Sequence, residues 1–171
     1  MKKCIAFLLL MFFYLFNAFA QQNQDRNIDD VSLLSGYDFR TKILSASVDA
    51  SIAFNIFRFD LEYGALIKTD LVKPEVCMSL SPMFGCMFYV FGKLGTYTQA
   101  GYQTLLPLFT AKTVGKETAV KLRARTGIFC YLGQHVLLNF NASYATSFMK
   151  NSDFWPDENM LFATVGLGYV F

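Results

Sequence analysis

Apolar and polar residues alternate along most of this 171-residue chain, and this period of two constrains its fold more than any other feature. The alternation is clearest in four segments, 44–56, 57–68, 118–130 and 136–149. Successive side chains of a β-strand point to opposite faces, so the pattern predicts strands with one apolar and one polar face. The apolar set changes phase between Ile56 and Phe57, which predicts a tight turn there because a continuous strand keeps its phase.

The length and composition of these segments indicate a membrane wall. Each is longer than the about five or six residues typical of soluble strands, and matches the about 9–11 residues that a tilted strand needs in hydrocarbon plus a margin for the interfaces. The sequence is 54% hydrophobic, 17% aromatic and 16% charged. Membrane helices over 76–92 and 94–111 are disfavoured by internal proline and glycine and by the dominant period of two. A soluble β-sandwich is the remaining alternative.

The first twenty residues have the organisation of a cleaved signal peptide. Lys2 and Lys3 form a basic start, an apolar run covers 5–16, and the small-residue exit Ala18-Phe19-Ala20 follows. We therefore expect export and cleavage between Ala20 and Gln21. The apolar run is short for an uncleaved membrane anchor.

Charge and cysteine content exclude several classes of function. Without Lys2 and Lys3, the remaining 13 basic residues equal the 13 acidic ones, so no nucleic-acid partner is expected. Cys77, Cys86 and Cys130 are odd in number and have neither Cys-x-x-Cys spacing nor nearby histidines. The sequence therefore predicts no metal site, no cofactor and no disulfide framework, and we expect free thiols that face the wall.

The last twelve residues, 160–171, alternate in the same way and end on an aromatic side chain, with Leu167, Tyr169 and Phe171 on one face. This terminus resembles the last strand of Gram-negative outer-membrane β-barrels, whose terminal Phe and preceding aromatic are read by the barrel-assembly machinery. The resemblance implies that Tyr169 and Phe171 are an assembly signal. It also implies a location in the cell outer membrane, with outer-membrane lipid and lipopolysaccharide or its equivalent as partners.

Counting back from Phe171 gives eight predicted strands: 31–40, 43–55, 57–69, 75–90, 93–106, 117–130, 136–149 and 160–171. The predicted fold is all-β, an eight-stranded antiparallel up-and-down transmembrane β-barrel, closed so that no strand edge is exposed. A last strand that ends in the periplasm places the short turns at 56–57, 91–92 and 131–135 there. The connections at 41–42, 70–74, 107–116 and 150–159 then lie outside.

Signal, strand number and terminus together make the chain similar to the small eight-stranded barrels of the OmpA/OmpX/OmpW class. The expected organisation is a cleaved signal peptide over 1–20, a short periplasmic N-terminal segment over 21–30 and the transmembrane barrel over 31–171.

Charged residues occupy the predicted inner face, although the interior of an eight-stranded barrel is only wide enough for side chains. The predicted lumen cluster is Asp49, Arg58, Asp60, Glu62, Lys121, Arg123, Arg125, Asn139 and Asn141, with Asp38, Arg40, Ser45, Ser47, Ser51 and Ser143 as further inward positions. A turn near Asn55 places Asp49 across from Glu62, where two acids repel. We expect the basic row on the sixth strand to pair with them. A closed, salt-bridged lumen is the main interpretation; a narrow polar conduit or ligand site is the alternative.

Catalysis is not expected, although some small outer-membrane barrels are lipid A-modifying enzymes. A serine hydrolase needs a histidine base near its serine at the outer-leaflet level. The one histidine of the sequence, His135, falls in a predicted periplasmic turn between Gln134 and Val136. The sequence therefore offers no catalytic residues.

The predicted outer loops carry the remaining candidates for contact. Phe154 and Trp155 are expected to anchor at the lipid interface or, alternatively, to bind a host surface; Lys112 and Lys116 are candidates for contact with lipid phosphates. The predicted function is an integral outer-membrane barrel with a structural or surface-interaction role. The alternative is an OmpW-like narrow channel or lateral-diffusion transporter for small hydrophobic molecules, opening near Pro82, Gly85 and Pro107.

Overall fold

Period-two alternation and long strands produce a closed wall. The computed structural model describes residues 28–69, 75–109, 118–147 and 159–171. The strands are β1 Ile28–Asp38, β2 Ile43–Phe54, β3 Phe57–Lys68, β4 Glu75–Phe91, β5 Leu94–Phe109, β6 Ala119–Leu132, β7 Val136–Ser147 and β8 Met160–Val170. Each strand pairs antiparallel with the next, and β1 pairs with β8, so the sheet closes on itself. The predicted fold class is confirmed.

Several predicted boundaries were wrong by a few residues. β1 begins at Ile28, so the expected N-terminal segment 21–30 contributes its last three residues to the wall. They extend β1 because Asp30 pairs with both Ser51 of β2 and Val170 of β8. β5 continues through Pro107 to Phe109, since a register shift at Val76/Cys77 accommodates the proline. β6 runs from Ala119 to Leu132, two residues later than predicted at each end. The predicted signal peptide and its cleavage site lie outside the described residues.

The strands have two chemically distinct faces. Burial alternates residue by residue in β2, β6 and β8. The outward face exposes large apolar side chains all around the wall, among them Leu33, Ile52, Phe84 and Leu161, each more than half exposed. An apolar surface of this extent is stable in hydrocarbon and not in water. Among the described residues, no helix is long and apolar enough to cross a membrane.

The two ends of the barrel differ. Three tight turns lie at one end, called here the turn end, at 55–56, 92–93 and 133–135. Positive φ angles at Asn55 (55°), Gly92 (50°) and Gly133 (85°) form these turns. Asparagine and glycine are the residues that accept this conformation at least cost. The opposite end, called here the loop end, holds the strand ends that flank the 39–42 turn and the three longer connecting stretches of the sequence.

The inward face forms three layers. The turn-end cluster is apolar and consists of Ala53, Met87, Tyr89, Tyr97, Phe129, Tyr131, Leu137 and Val170. The loop-end cluster is also apolar and consists of Ile43, Leu66, Cys77, Leu105, Ala145, Met160 and Phe162. Polar and charged side chains fill the space between these clusters. Cys77 therefore faces the interior, which corrects its predicted wall-facing position, and all three described cysteines are free.

Candidate functional site in the barrel lumen

Three strands bring five charged residues of the lumen together. Asp49 comes from β2, Asp60 and Glu62 from β3, and Arg123 and Arg125 from β6. Asp49 lies directly across from Glu62, as the turn geometry predicted. All five side chains are buried although each carries a formal charge. Burying such groups is costly unless they are paired, so their partners decide whether this layer is stable.

Arg125 is the hub of this layer. Its Nη1 lies 3.0 Å from Oδ2 of Asp49 and 3.1 Å from Oε2 of Glu62, and its Nη2 pairs with Oδ2 of Asp60. The guanidinium also donates from Nε to Oε1 of Gln99 at 3.0 Å. Arginine can hold several acceptors at once because its donors form a rigid planar fork. One side chain therefore links β6 to β2 and β3 across the lumen.

Arg58 forms a second set of ion pairs, on the turn-end side of Arg125. Nε of Arg58 lies 2.8 Å from Oδ1 of Asp60, and its Nη2 lies 3.4 Å from Oδ1 of Asp30. Its Nη2 also donates to Oγ of Ser51 at 2.5 Å. The guanidinium lies over the ring of Tyr97, 4.9 Å from its centroid, and Arg125 lies 5.6 Å from the same centroid. Tyr97 thus joins the polar layer to the turn-end cluster.

The third arginine holds the loop side of the layer. Nη1 of Arg123 lies 2.9 Å from Oε2 of Glu62 and donates to Oγ of Ser81 at 3.2 Å. Its Nη2 donates to Oγ of Ser143. Oε1 of Glu62 accepts from Oγ of Ser47 at 3.0 Å. Lys121 is buried on the same face of β6.

Charges of both signs are buried in the lumen. Among the described residues, the buried acids are Asp30, Asp38, Asp49, Asp60 and Glu62, and the buried bases are Arg58, Lys121, Arg123 and Arg125. Asp30, Asp49, Asp60 and Glu62 each pair with an arginine, and Asp38 accepts from backbone nitrogens. The arrangement is suited to holding strands together across a narrow interior.

Sequence reasoning missed several members of the layer. Asp30 was placed in the N-terminal segment, although the alternation of Asp30, Ser32 and Leu34 on one face was a readable signal. Tyr97 and Gln99 were also missed, since an aromatic and an amide on an inward face give no charge pattern. The hydroxyl of Tyr97 donates to Oδ1 of Asn139 at 2.8 Å.

Arg40 was predicted to face the lumen, and this was wrong. It lies in the 39–42 turn, is exposed, and donates to the backbone oxygen of Asn159. The turn forms because Oδ1 of Asp38 accepts from the backbone nitrogens of Arg40 and Thr41 at 2.9 and 3.2 Å. Oδ2 of Asp38 accepts from the nitrogen of Leu161, which ties this turn to β8.

The predicted assembly signal and the histidine lie outside the lumen. Tyr169 and Phe171 are exposed at the turn end, with ring centroids 5.3 Å apart in an edge arrangement. His135 stacks on Tyr169 at 5.4 Å, and its Nδ1 lies 3.1 Å from the oxygen of Val170. Phe154, Trp155, Lys112 and Lys116 lie outside the described residues. Across the described ranges, no group of three or more histidine, cysteine, aspartate or glutamate side chains could hold a metal ion.

The fold and the lumen together define a class: a closed transmembrane β-barrel of eight strands with an ion-paired interior. No protein-family model and no curated protein sequence matches the chain. Solved structures match in fold. Neisserial surface protein A is 15% identical over 85% of this chain and 96% of its own, with a TM-score of 0.64. The N-terminal β-barrel domain of Pseudomonas aeruginosa OprF is 15% identical over 85% and 98%, with a TM-score of 0.62.

A third similar structure is Ail, the attachment invasion locus protein of Yersinia pestis, in complex with the heparin analogue sucrose octasulfate. It is 13% identical over 85% of this chain and 97% of its own, with a TM-score of 0.54. At these identities the likeness is one of fold. The fold is that of the small eight-stranded outer-membrane β-barrels, as the sequence predicted, and the predicted outer-membrane location agrees with these neighbours.

Proposed function

We propose that this chain is an integral outer-membrane barrel with a structural or surface-interaction role and a lumen closed to ions. The observation that carries the proposal is the position of Arg125, whose guanidinium contacts Asp49, Asp60 and Glu62 on the facing strands. Apolar clusters lie on both sides of this layer. An ion on the barrel axis would lose its hydration in each cluster and meet paired, neutralised charges between them.

Planar-bilayer recording tests the closed lumen. We expect the wild-type barrel to show no steady single-channel steps, because ion pairs and apolar side chains fill the interior. Arg125→Ala should produce openings, since it removes the side chain that crosses the lumen. Lys42→Gln, at an exposed position of the loop end, is the matched control and should resemble wild type. Steady conductance by the wild-type barrel would contradict the proposal.

The residues proposed to contact other molecules belong to the two ends of the barrel. Ail was solved with a sulfated sugar analogue, which supports a surface-binding role for barrels of this shape. In this chain the candidates are Phe154 and Trp155, with outer-membrane lipid, lipopolysaccharide or a host surface as partner. Tyr169 and Phe171, exposed beside the barrel closure, are the proposed signal for the barrel-assembly machinery. A non-catalytic role is proposed because His135 lies at the turn end, in contact with Tyr169 and Val170.

Lateral transport of small hydrophobic molecules is the second candidate, and one feature of the wall favours it. The β4–β5 pairing lacks its rungs at Ser81 and Pro82, since proline has no N–H to donate. Nearby, a depression of about 420 Å³ in the wall is lined in part by Gly101 and Tyr102. Behind the gap, however, Ser81 accepts from Arg123, so the lumen there is filled. Density for a soaked hydrophobic molecule beside Ser81 would favour this candidate over the closed barrel.

A further inference from the structure

The single histidine of the sequence lies against the C-terminal strand. His135 is the last residue of the 133–135 turn, immediately before β7. Its ring stacks on that of Tyr169, with centroids 5.4 Å apart and an angle of 10° between the planes. Its Nδ1 lies 3.1 Å from the backbone oxygen of Val170. A carbonyl oxygen only accepts hydrogen bonds, so Nδ1 is the donor in this contact and carries a proton.

The backbone of this turn continues the β7–β8 pairing past its last rung. At the turn end the rungs stop at Val136 and Tyr169, and beyond them the nitrogen of Val170 donates to the oxygen of His135 at 2.9 Å. On the other side of β8, the nitrogen of Phe171 donates to the backbone oxygen of β1 at position 29, at 3.0 Å. Both neighbours of the last strand therefore hold its final residues, and the first of these contacts keeps the His135 ring beside Tyr169.

The two aromatic side chains of the proposed assembly signal differ in how far they are covered. Phe171 is 77% exposed and meets the ring of Tyr169 in an edge arrangement. Tyr169 is 51% exposed, and the His135 ring lies nearly parallel to it. An aromatic face that is stacked on one ring is not open to a second partner at the same time. In the closed barrel, His135 therefore occupies a surface of Tyr169 that is open as long as the 133–135 turn is not packed against β8.

We propose that His135 competes with the barrel-assembly machinery for the Tyr169 ring, and so favours release of the barrel once β8 has paired with β7. Until these strands pair, the His135 ring is not held beside Tyr169, so the signal is open during assembly and covered afterwards. The proposal rests on the assembly role of Tyr169 and Phe171 proposed above. It goes beyond that role because it gives the signal a state in which it is withdrawn, and it assigns a task to a side chain that the closed lumen does not use.

The lifetime of the contact with the machinery tests this competition. A photo-crosslinking residue at Leu167, on the same outward face two residues before Tyr169, reports the contact in a pulse-chase experiment on cells. In the wild-type chain we expect the crosslink to the machinery to disappear as the barrel closes. In His135→Ala the crosslink should last about threefold to tenfold longer, the factor that corresponds to the loss of one aromatic pair.

Matched variants separate the ring from the rest of the turn. His135→Phe keeps a ring that can stack on Tyr169 and should restore the wild-type lifetime of the crosslink. Gln134→Ala, at the exposed neighbouring position of the same turn, should also resemble wild type. Heat-modifiable gel mobility of the refolded variants measures barrel closure alone and should be the same for all of them. If His135→Ala fails to fold, His135→Asn, which keeps a donor for Val170 but has no ring, takes its place.

An unchanged crosslink lifetime in His135→Ala would overturn the proposal. A lifetime in His135→Phe as long as in His135→Ala would do the same, since the ring would then not be what covers Tyr169. Deletion of Phe171 tests the underlying signal separately. If the deletion abolishes a crosslink that wild type shows, the signal stands whatever the His135 variants do. A wild-type crosslink that is absent, or that the deletion leaves unchanged, would refute the signal and the competition together.

Discussion

At the scale of single residues, the buried charges of the lumen differ in their number of ion-pair partners, and a charge with one partner is the most sensitive to its loss. Glu62 contacts both Arg123 and Arg125, so losing one arginine leaves it a partner. Asp49 forms an ion pair with Arg125, and its second oxygen has no hydrogen-bond partner. Removing Arg125 therefore strands Asp49 in a low-dielectric interior. Leaving one charge of a buried pair unpaired typically costs about 3–5 kcal/mol.

We predict that Arg125→Met lowers the free energy of unfolding by about 3–5 kcal/mol, measured as the urea midpoint of the refolded barrel. Adding Asp49→Asn should recover part of the loss, because the stranded charge is removed. Lys42→Gln, on the exposed loop end, should stay within about 0.5 kcal/mol of wild type. If Arg125→Met has the same midpoint as wild type, the charges are solvated and the lumen is a wet passage.

At the scale of secondary-structure elements, neighbouring strands fit by placing a ring over a glycine. Gly95 of β5 pairs with Phe129 of β6. A Cβ at Gly95 would meet three atoms of the Phe129 ring. That ring cannot move aside easily, since Tyr89 and Tyr131 pack edge-on against it with centroids 5.4 and 5.6 Å away. The turn-end cluster is thus built around a residue without a side chain.

Gly95→Ala should destabilise the barrel by about 1–3 kcal/mol, the usual cost of overpacking, although glycine to alanine normally favours the folded state. The double variant Gly95→Ala with Phe129→Leu should recover stability, since the smaller side chain yields the space. Ala100→Val, on the exposed face of the same strand, serves as the control and should have little effect. Thermal or urea unfolding measures all three. A neutral Gly95→Ala would show that the cluster is loosely packed.

At the scale of the whole molecule, closure and asymmetry define the orientation. Beyond the β1–β8 rungs, the backbone nitrogen of Phe171 donates to the oxygen of Asp29 at 3.0 Å, so the chain terminus completes the wall. The turn end carries this closure together with the three tight turns. In the proposed orientation the turn end faces the periplasm and the long connections face outward, as in barrels with this asymmetry.

Accessibility of single cysteines on whole cells checks this orientation. In a background with Cys77, Cys86 and Cys130 replaced, cysteines at Lys112 and Ser152 should react with a membrane-impermeant maleimide. A cysteine at Gln134, exposed in a turn-end turn, should react after the outer membrane is permeabilised and not before. Labelling of intact cells at Gln134 alone would mean that the barrel is inverted.

Much of the wall was predictable because strand geometry is local. The period of two fixes which residues share a face, and the phase change at Ile56 fixed the β2–β3 register, including Asp49 opposite Glu62. Boundaries were less predictable. The inward position of Asp30 depended on pairing with β2 and β8, which are distant in sequence. Arg40 continued the inward alternation of β1, but the Asp38 side chain bonds the following backbone and turns the chain outward.

The sequence alone determined that the chain is charge-balanced and forms eight alternating strands that close into a barrel. It could do so because side-chain alternation and compatibility with lipid act within each strand. Only the tertiary structure decided which charges meet. The basic residues of β6 do not each pair with one acid, since Arg125 alone contacts three carboxylates. Arg58 of β3 pairs with Asp60 of its own strand and with Asp30 of β1. The physical reason is that contacts across the lumen depend on the shear and diameter of the closed barrel, which no single strand encodes.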